Sequence, residues 1–430
     1  MSLTPQEKAH AESITDVNPV VVPIPPARTW RCLVASVVRK PPIVLSAFLQ
    51  SISQQVLERS ELSFYFVTDF AASDAYAADS LALLSKFCTE HPRSGFQQHH
   101  SNLGQDYGDG ATTRLWSASA FARMGALKNA IIQKALTEGF DALWLVDADV
   151  LCDHWTLQSL RDCEQPIVAG VYWTHWQRPL PDAAQVVHAG PQVWLRHPYQ
   201  LDGHGYSEAE FRAALIARKL LHVWGLGACT LFHRAALDKG VSFAPVPEGL
   251  PAGPMSDGED RHLCERARRL HLPLFADAWP DIWHAYHPAE YPDIAKWQRR
   301  LSEPRPVTPN FGDAVSVRLQ NLEQPDLAPQ WVRGRLGSLG VVPELEEAIA
   351  SLSVRDERVV KVHFPLSYPL AQYRNHSFLF HVRLLDAKAY SMPPEIGQEL
   401  FTGVRTGVVI DPTALAPQQV DAVLAEAFAV

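Results

Sequence analysis

Two aspartates separated by one residue, Asp147 and Asp149, have the types and spacing in this 430-residue chain that most directly indicate chemistry. They follow residues 142–146, ALWLV, a short apolar run typical of a strand buried on both faces. In an open α/β sheet, ligands bind at the carboxyl ends of the strands. A carboxylate pair there suits a divalent cation that also contacts phosphate oxygens. The alternative is a solvated acidic loop, because Asp-X-Asp is also common by chance.

A second pair of acids, Glu259 and Asp260, opens a predicted helix over 257–270. The helix dipole stabilises negative charge in the first turn, so simple capping explains these acids equally well. Neighbouring helical residues point about 100° apart, so only one of the two can face a substrate. A carboxylate in that place can remove the proton of an attacking hydroxyl group.

Further polar groups extend these two acidic pairs. His284, with His287 as its alternative, is a candidate third ligand for the cation, since neutral imidazole binds divalent ions; a buried structural histidine is the other interpretation. Asp153 either contacts the cation indirectly or caps the helix that follows it. Arg123 and Lys128 lie on the predicted helix before the Asp-X-Asp strand. One of these basic side chains could bind a diphosphate; the alternative is that both lie on a solvated face of the helix.

The composition excludes several classes of protein. With 47% hydrophobic and 20% charged residues the chain is that of an ordinary globular protein. Its net charge of -9 argues against nucleic acid as the main partner. Its six cysteines form no Cys-X-X-Cys pair, its first residues are polar rather than signal-like, and no apolar run approaches the ~20 residues of a membrane span. We therefore expect a reduced, cytoplasmic protein without a membrane span.

Strands and helices that alternate along the chain must position the candidate residues. The predicted strands cover 31–38, 62–67, 142–146, 167–172, 193–195, 222–233 and 273–277. The predicted helices cover 43–57, 80–87, 115–136, 207–221 and 257–270, and 101–113 is a glycine-rich loop. Gly225 and Gly227 fall inside a predicted strand, which indicates that a ligand or another backbone passes close by. The alternation predicts an α/β domain with a mostly parallel sheet covered on both faces.

Proline-rich segments separate this domain from its flanks. Residues 1–28 are predicted to form a flexible arm, 29–303 the α/β domain and 304–310 a linker. From residue 311 to 430 the pattern changes to a small α+β domain. Segments 315–319, 359–364 and 378–385 alternate like half-buried antiparallel strands, and 343–352 is a short helix.

The order of motifs between residues 30 and 297 resembles the family 2-like glycosyltransferases of the GT-A fold. It consists of a first strand ending in a loop, Lys128-Asn129 before the Asp-X-Asp strand, a Gly-X-Gly strand, a Gly-Glu-Asp helix start and a later histidine. The resemblance implies a Rossmann-like sheet, a UDP- or GDP-sugar donor, Mn²⁺ or Mg²⁺ as cofactor, and transfer with inversion.

The resemblance also implies roles for single residues. Asp149 is the direct metal ligand, with Asp147 and His284 completing the metal set, and Asp147 addresses the ribose or a metal-bound water. Asp260 is the base and Glu259 supports acceptor binding. The expected donor-binding residues are Val37, Arg39, Asp69, Lys128, Asp147, Gly225 and Gly227.

Residues 311–400 resemble the FKBP-type peptidyl-prolyl isomerase fold in the form carried by trigger factor. The similarity rests on GDAVSVRL, on the segment from RLGSLG to LSYP, and on FLFHVRLLDAK. The family's apolar pocket carries over to Val341, Val342, Leu345, Tyr368 and Phe380. Leu345, and Leu319 on the first strand, stand where aromatic residues are expected, and the 323–331 stretch is short. This favours a module that binds peptide, or one that serves dimerisation, over an active isomerase.

Three functions are compatible with this pattern. The first is a metal-dependent glycosyltransferase whose partners are a nucleotide-sugar, a peptide or protein acceptor and a second copy of the chain. The second is a folding helper with a non-catalytic first domain. The third is a nucleotidyltransferase, but RKPP after the first strand is not its glycine-rich phosphate loop. The Asp-X-Asp, Glu-Asp and His residues together favour the first function.

Overall fold

The computed structural model describes residues 29–101, 117–178, 186–194, 214–215, 217–247, 249, 258–302, 305–327, 329–339, 341–366 and 373–389. The chain divides into two compact units. The first comprises Met1–Tyr206 and Leu221–Ser302, and the second comprises Ser207–Leu220 and Glu303–Val430.

Strands and helices alternate along the first part of the chain. Its strands are β1 (Trp30–Val38), β2 (Ser60–Ala71), β3 (Ser94–Ser101), β4 (Ala142–Val146), β5 (Val150–Cys152), β6 (Ile167–Gly170), β7 (Trp173–Arg178), β8 (Val186–Pro191), β9 (Val193–Trp194), β10 (Leu220–Val223), β11 (Gly225–Leu226), β12 (Cys229–His233), β13 (Leu274–Asp277) and β14 (Ile282–His284). Its α-helices are α1 (Pro42–Ser53), α2 (Ala77–Glu90), α3 (Ala118–Thr137), α4 (Thr156–Asp162), α5 (Arg234–Asp238), α6 (Glu259–Arg269) and α7 (Ile294–Leu301).

Eight of these strands form one sheet in the order β10-β13-β6-β12-β4-β1-β2-β3. Strands β1, β2, β3 and β4 run parallel, β13 is parallel to β6, and β12 is antiparallel to both β4 and β6. Every residue of β4, β6 and β12 is buried, so both faces of the sheet are covered there. The predicted α/β class with a mostly parallel sheet is confirmed.

The strand directions bring distant segments to one edge of the sheet. Because β1, β4 and β6 run the same way, the residues that follow them meet at their carboxyl edge: Lys40 after β1, Asp147 after β4 and Tyr172 after β6. Strand β12 runs the opposite way, so Ala228 enters it from the same edge. All the candidate acids of the Asp-X-Asp motif therefore lie where α/β sheets bind ligands.

Several predicted elements are wrong at their ends. Helix α1 stops at Ser53 rather than at residue 57, because the Val56 backbone N–H donates to the His154 carbonyl and not to a carbonyl of the helix. Strand β2 continues to Ala71, so Asp69 lies inside it and not after its end.

The predicted strand over 222–233 is three short strands, β10, β11 and β12. Two backbone N–H groups at the breaks donate to side chains rather than to a neighbouring strand: that of Leu226 to Cys264 Sγ at 3.3 Å and that of Ala228 to the Tyr172 hydroxyl at 2.8 Å. A Cβ on Gly227 would lie 2.7 Å from that hydroxyl oxygen, so the close neighbour expected at this glycine is protein. Most of the predicted helix over 207–221 lies outside the described residues, but Leu220 and Leu221 belong to β10.

In its described residues from 305 onward, the second unit contains β15 (Ala314–Asn321), β16 (Gln330–Arg335), α8 (Pro343–Ala350), β17 (Glu357–His363) and β18 (Ser377–Lys388). These strands form an antiparallel sheet in the order β16-β15-β18-β17. The strands and helix predicted here are present, and β16 was missed. The FKBP-like assignment stays a prediction.

The residues carried over as an isomerase pocket lie in the core of this second unit. Val342, Leu345 and Phe380 are buried members of one hydrophobic cluster with Leu319, and Val341 packs partly buried against it. Tyr368 lies outside the described residues. The expected loss of isomerase chemistry stays a prediction.

Among the described helices, none has both the length and the apolar character that a membrane crossing requires.

Gly125 tests the close packing of α3 against α6. A Cβ at this position would lie 2.9 Å from the Phe243 carbonyl oxygen and 3.4 Å from Glu259 Cβ. Helix propensity alone favours Gly125→Ala by about 1 kcal/mol, whereas overpacking against backbone costs about 1–3 kcal/mol. We expect a net loss of unfolding free energy, measured by urea unfolding with tryptophan fluorescence. Ala126→Gly is the matched control, because Ala126 is exposed and only helix propensity should change its free energy of unfolding. A higher free energy of unfolding in Gly125→Ala than in the unmodified protein would contradict this packing.

His233 gives the first unit a defined sensitivity to acid. Burial, together with the charge of Arg161, lowers the pKa of its imidazole from 6.5 to about 4. Between these values the unfolded chain binds a proton that the folded chain does not, so stability falls as pH falls from 6.5 to about 4, by up to about 3 kcal/mol. We expect His233→Gln to lose less unfolding free energy than the unmodified protein between about pH 7 and about pH 4.5. Equal losses would contradict the assignment.

Candidate functional site at the carboxyl edge of the sheet

The Asp-X-Asp residues form a tight turn between β4 and β5. The Val150 N–H donates to the Asp147 carbonyl at 3.0 Å, and the Asp147 N–H donates to the Ala228 carbonyl at 3.0 Å. Strand β5 pairs with β14, placing Val150 opposite His284, and the Ala285 N–H donates to the Asp149 carbonyl at 2.8 Å. The backbone therefore fixes the turn on both sides, and both carboxyl groups leave it at the edge of the sheet.

Asp149 is buried and contacts two basic side chains through one oxygen. Its carboxylate is 1% exposed, and Oδ2 lies 2.5 Å from Lys40 Nζ and 3.4 Å from His284 Nε2. The other ring nitrogen of His284 lies 2.8 Å from the Thr174 hydroxyl, which both donates and accepts and so permits either tautomer. Of the two candidate histidines, the structure thus brings His284 to Asp149. The backbone N–H of His287 donates to the Glu290 carboxylate.

Asp147 titrates near neutrality. Burial raises the pKa of its carboxyl group to about 7; Lys128 lowers it, and Asp149, Asp260 and Glu259 raise it further. These electrostatic effects show that Asp147 lies near Lys128 and the Glu-Asp pair. The raised pKa favours a proton on this carboxyl group, whereas a cation nearby would favour its ionised form.

Lys128 holds the second acidic pair. Its ammonium is buried and lies 2.8 Å from Glu259 Oε1 and 3.0 Å from Asp260 Oδ1. Burial lowers the pKa of Lys128, but the charges of Asp260, Glu259 and Asp147 outweigh it and keep the pKa well above the usual value. In this structure the ammonium contacts two carboxylates, and its predicted role on a diphosphate stays a prediction.

Glu259 and Asp260 differ in how far they face solvent. The side chain of Glu259 is 9% exposed and that of Asp260 is 25% exposed. Burial raises the pKa of Glu259, and Lys128 opposes that rise. Both acids begin α6 after Gly258, which is its N-cap. Asp260 is thus the member of the pair that an external hydroxyl can reach.

The residues expected to bind the nucleotide already have protein partners. Asp69 is buried and receives two hydrogen bonds from Arg123 Nε, at 2.8 and 3.0 Å, and a further one from Arg123 Nη2. Arg39 binds Asp74 through Nε at 2.7 Å and Nη2 at 3.1 Å. Val37 is a buried residue of β1, and Gly225 is a buried residue of β11. Their role toward a donor stays a prediction.

Asp153 has a structural role at the start of α4. Its Oδ1 accepts from the Trp155 N–H at 2.9 Å and the Thr156 hydroxyl at 3.0 Å, and its Oδ2 accepts from the Asp281 N–H at 2.9 Å. The capping interpretation is therefore wrong in detail: the N-cap of α4 is Trp155, which has no side-chain cap bond, and Asp153 binds the turn before the helix. Both carboxylate oxygens thus hold the backbone around the β5–β14 pair.

Lys40 is the residue of this site that the sequence interpretation missed. Lys40 follows β1 at the same edge at which Asp147 follows β4. The rule that ligands bind at the carboxyl ends of the strands therefore applies to Lys40 as well. Its neighbour Arg39 was predicted to bind the donor, whereas Lys40 was given no role.

Asp149 and His284 are chemically suited to a divalent cation. A buried carboxylate oxygen with an imidazole nitrogen beside it is a common donor pair, and the ammonium of Lys40 shows that this oxygen accepts a cation. Within the described part of the chain, no group of three or more His, Cys, Asp or Glu side chains is placed to hold a metal ion. Asp147 as a third ligand stays a prediction. A two-residue donor set fits an ion whose other ligands are phosphate oxygens and water.

Comparison with known proteins finds similarity only in structure. No protein-family model matches the chain, and no curated protein matches it. One similar structure, S. aureus TarS 1-349, is 12% identical over 63% of this chain and 65% of that chain, with a TM-score of 0.35. Another, GalNAc-T7 with UDP, GalNAc and Mn²⁺, is 10% identical over 69% of this chain and 57% of that chain, with a TM-score of 0.39.

The TarS 1-349 complex with UDP gives the same values as TarS 1-349 alone, 12% identity and a TM-score of 0.35. This chain spans less than two thirds of the length of each of these structures. Likeness at these TM-scores carries no inference about what this chain binds, so the function must be argued from the site itself.

Proposed function

We propose that this protein is a glycosyltransferase that uses a nucleotide-sugar donor, UDP- or GDP-linked, with Mn²⁺ or Mg²⁺ as cofactor. The observation that carries the proposal is that two acidic groups lie near each other: the charges of Lys128, Asp260 and Glu259 act on the carboxyl group of Asp147, two residues from Asp149. One is the Asp149 carboxylate with His284 beside it, and the other is the Glu259 and Asp260 pair on Lys128. One group suits a cation bound to phosphate, and the other suits removal of a proton.

Asp149 and His284 are the proposed protein ligands of the ion, with Asp147 on a metal-bound water or the ribose. When bound, the ion supplies Lewis acidity that offsets the negative charge developing on a diphosphate leaving group. The turn between β4 and β5 is fixed by backbone bonds on both sides, which keeps the two aspartates in place without an induced rearrangement. This supports a site that is largely formed before the donor arrives.

Asp260 is the proposed base. Its carboxylate accepts the proton of the acceptor hydroxyl while that oxygen attacks the anomeric carbon from the side opposite the diphosphate, which inverts the configuration. Lys128 holds Asp260 through an ion pair at 3.0 Å, and Glu259 shares the same ammonium. Glu259 is accordingly proposed to orient Lys128 and Asp260 and to support acceptor binding.

The second unit enters the proposal as a module that binds the acceptor, a peptide or protein, or a second copy of the chain. Val359 on β17 and Leu379 on β18 are 52% and 38% exposed. Val359 pairs with His381, two residues from Leu379, so both apolar side chains lie on the same outer face of the sheet. This face, rather than the buried pocket positions, supports a binding role.

Asp149→Asn tests the metal ligand. Loss of the carboxylate charge removes the main attraction for the ion, so we expect the Mn²⁺-dependent affinity for UDP to fall on the order of 100-fold or more. Isothermal titration with and without Mn²⁺ measures this effect, and hydrolysis of UDP-sugars should fall with it. Asp238→Asn, an exposed acid on α5, is the matched control and should change neither value. A variant that keeps the Mn²⁺ dependence of UDP binding would contradict the assignment of Asp149.

Asp260→Asn tests the base separately from donor binding. Without a proton acceptor, kcat for transfer to water or to a peptide acceptor should fall by about 10²–10⁴-fold. The Mn²⁺-dependent affinity for UDP should stay within about twofold of the unmodified protein, because Asp260 contacts Lys128 and not Asp149. Turnover that survives this substitution would assign the proton transfer to another residue.

A further inference from the structure

Lys40 is fixed in place by the segment that joins β1 to α1. Its carbonyl oxygen accepts from the Ser80 hydroxyl on α2 at 2.8 Å. Pro41 caps α1 and Pro42 opens it, and proline restricts the backbone on both sides of this junction. The position of the Lys40 backbone is therefore built into the fold, although its side chain still carries four rotatable bonds.

The ammonium of Lys40 lies on the oxygen that the proposed function gives to a metal ion. Nζ is 2.5 Å from Asp149 Oδ2, and His284 Nε2 is 3.4 Å from the same oxygen. A divalent ion bound to that oxygen would lie within a few ångströms of the ammonium. Two such cations repel strongly in a site of low polarity. The oxygen therefore takes one cation at a time.

The two lysines of the site differ in how readily the ammonium group can separate from its carboxylate partners. Lys128 is 2% exposed and lies against two carboxylates. Lys40 is 13% exposed and reaches Asp149 from the rim of the site. Moving Lys128 would leave two buried carboxylates without a counter-ion. The flexible side chain of Lys40 can rotate toward solvent if another cation neutralises Asp149.

We propose that Lys40 is a displaceable counter-ion of Asp149, which neutralises the carboxylate in the ligand-free protein and leaves it when the divalent ion binds. The displaced ammonium then pairs with the diphosphate of the donor. The inference rests on the proposed function and adds a consequence to it. The ion alone must compete with Lys40, while a nucleoside diphosphate offers Lys40 a new anionic partner, so each ligand strengthens the binding of the other.

The test measures Mn²⁺ binding directly, by loss of the electron paramagnetic resonance signal of free Mn²⁺, with and without UDP. The variants are Lys40→Met, which keeps the length of the side chain and removes its charge, and Lys40→Arg, which keeps a charge. Lys134→Met, at a half-buried lysine of α3 that pairs with Glu138 away from Asp149, is the matched control. We expect the unmodified protein to bind Mn²⁺ weakly alone and about tenfold or more tightly with UDP.

In Lys40→Met, Mn²⁺ alone should bind about tenfold or more tightly than to the unmodified protein, and UDP should add much less. Lys40→Arg and Lys134→Met should behave like the unmodified protein. Equal Mn²⁺ affinity without UDP in Lys40→Met and the unmodified protein would overturn the role of Lys40, while the proposed function would stand if UDP still raised that affinity. No Mn²⁺ binding to any variant, with or without UDP, would overturn both.

Discussion

The buried carboxylate of Asp149 is the constraint on which the rest of the site depends. An ionised carboxylate away from water is tolerated only when charged or hydrogen-bonding groups compensate it. Here the compensation comes from Lys40, which follows β1, and from His284, which ends β14. The parallel pairing of β1 with β4 and the antiparallel pairing of β5 with β14 must both be in register for these three side chains to meet. The site and the central sheet are therefore specified by the same pairings.

The second acidic pair follows the same rule in a more enclosed form. Lys128 is buried on α3 and compensates Glu259 and Asp260 at the start of α6. Gly125, one helical turn earlier, lets the two helices approach closely enough for this contact. One lysine thus accompanies each acidic group. Lys128 is less exposed than Lys40. In this account Lys128 stays on its carboxylates, whereas a metal ion can replace Lys40.

The sequence was sufficient to predict the class of the fold and the region of the site. Residues 142–146 are apolar at every position, so a buried strand and the edge where Asp147 follows it could be inferred locally. Strand β3 was missed because SGFQQHHS has no apolar alternation, and it is a strand because it pairs with β2. The ion pairs of Asp149 with Lys40 and of Lys128 with Glu259 were also missed, since these partners lie 109 and 131 residues apart. Pairings over such distances depend on strand order, which local patterns do not determine.

The most direct measurement is anomalous X-ray diffraction at the manganese edge from crystals grown with Mn²⁺ and UDP. The account predicts a single strong anomalous peak in contact with Asp149 and His284, with phosphate oxygens completing its coordination and the Lys40 ammonium moved onto the diphosphate. Density that shows Lys40 still bound to Asp149 and no anomalous peak beside them, in crystals where UDP is present, would contradict it.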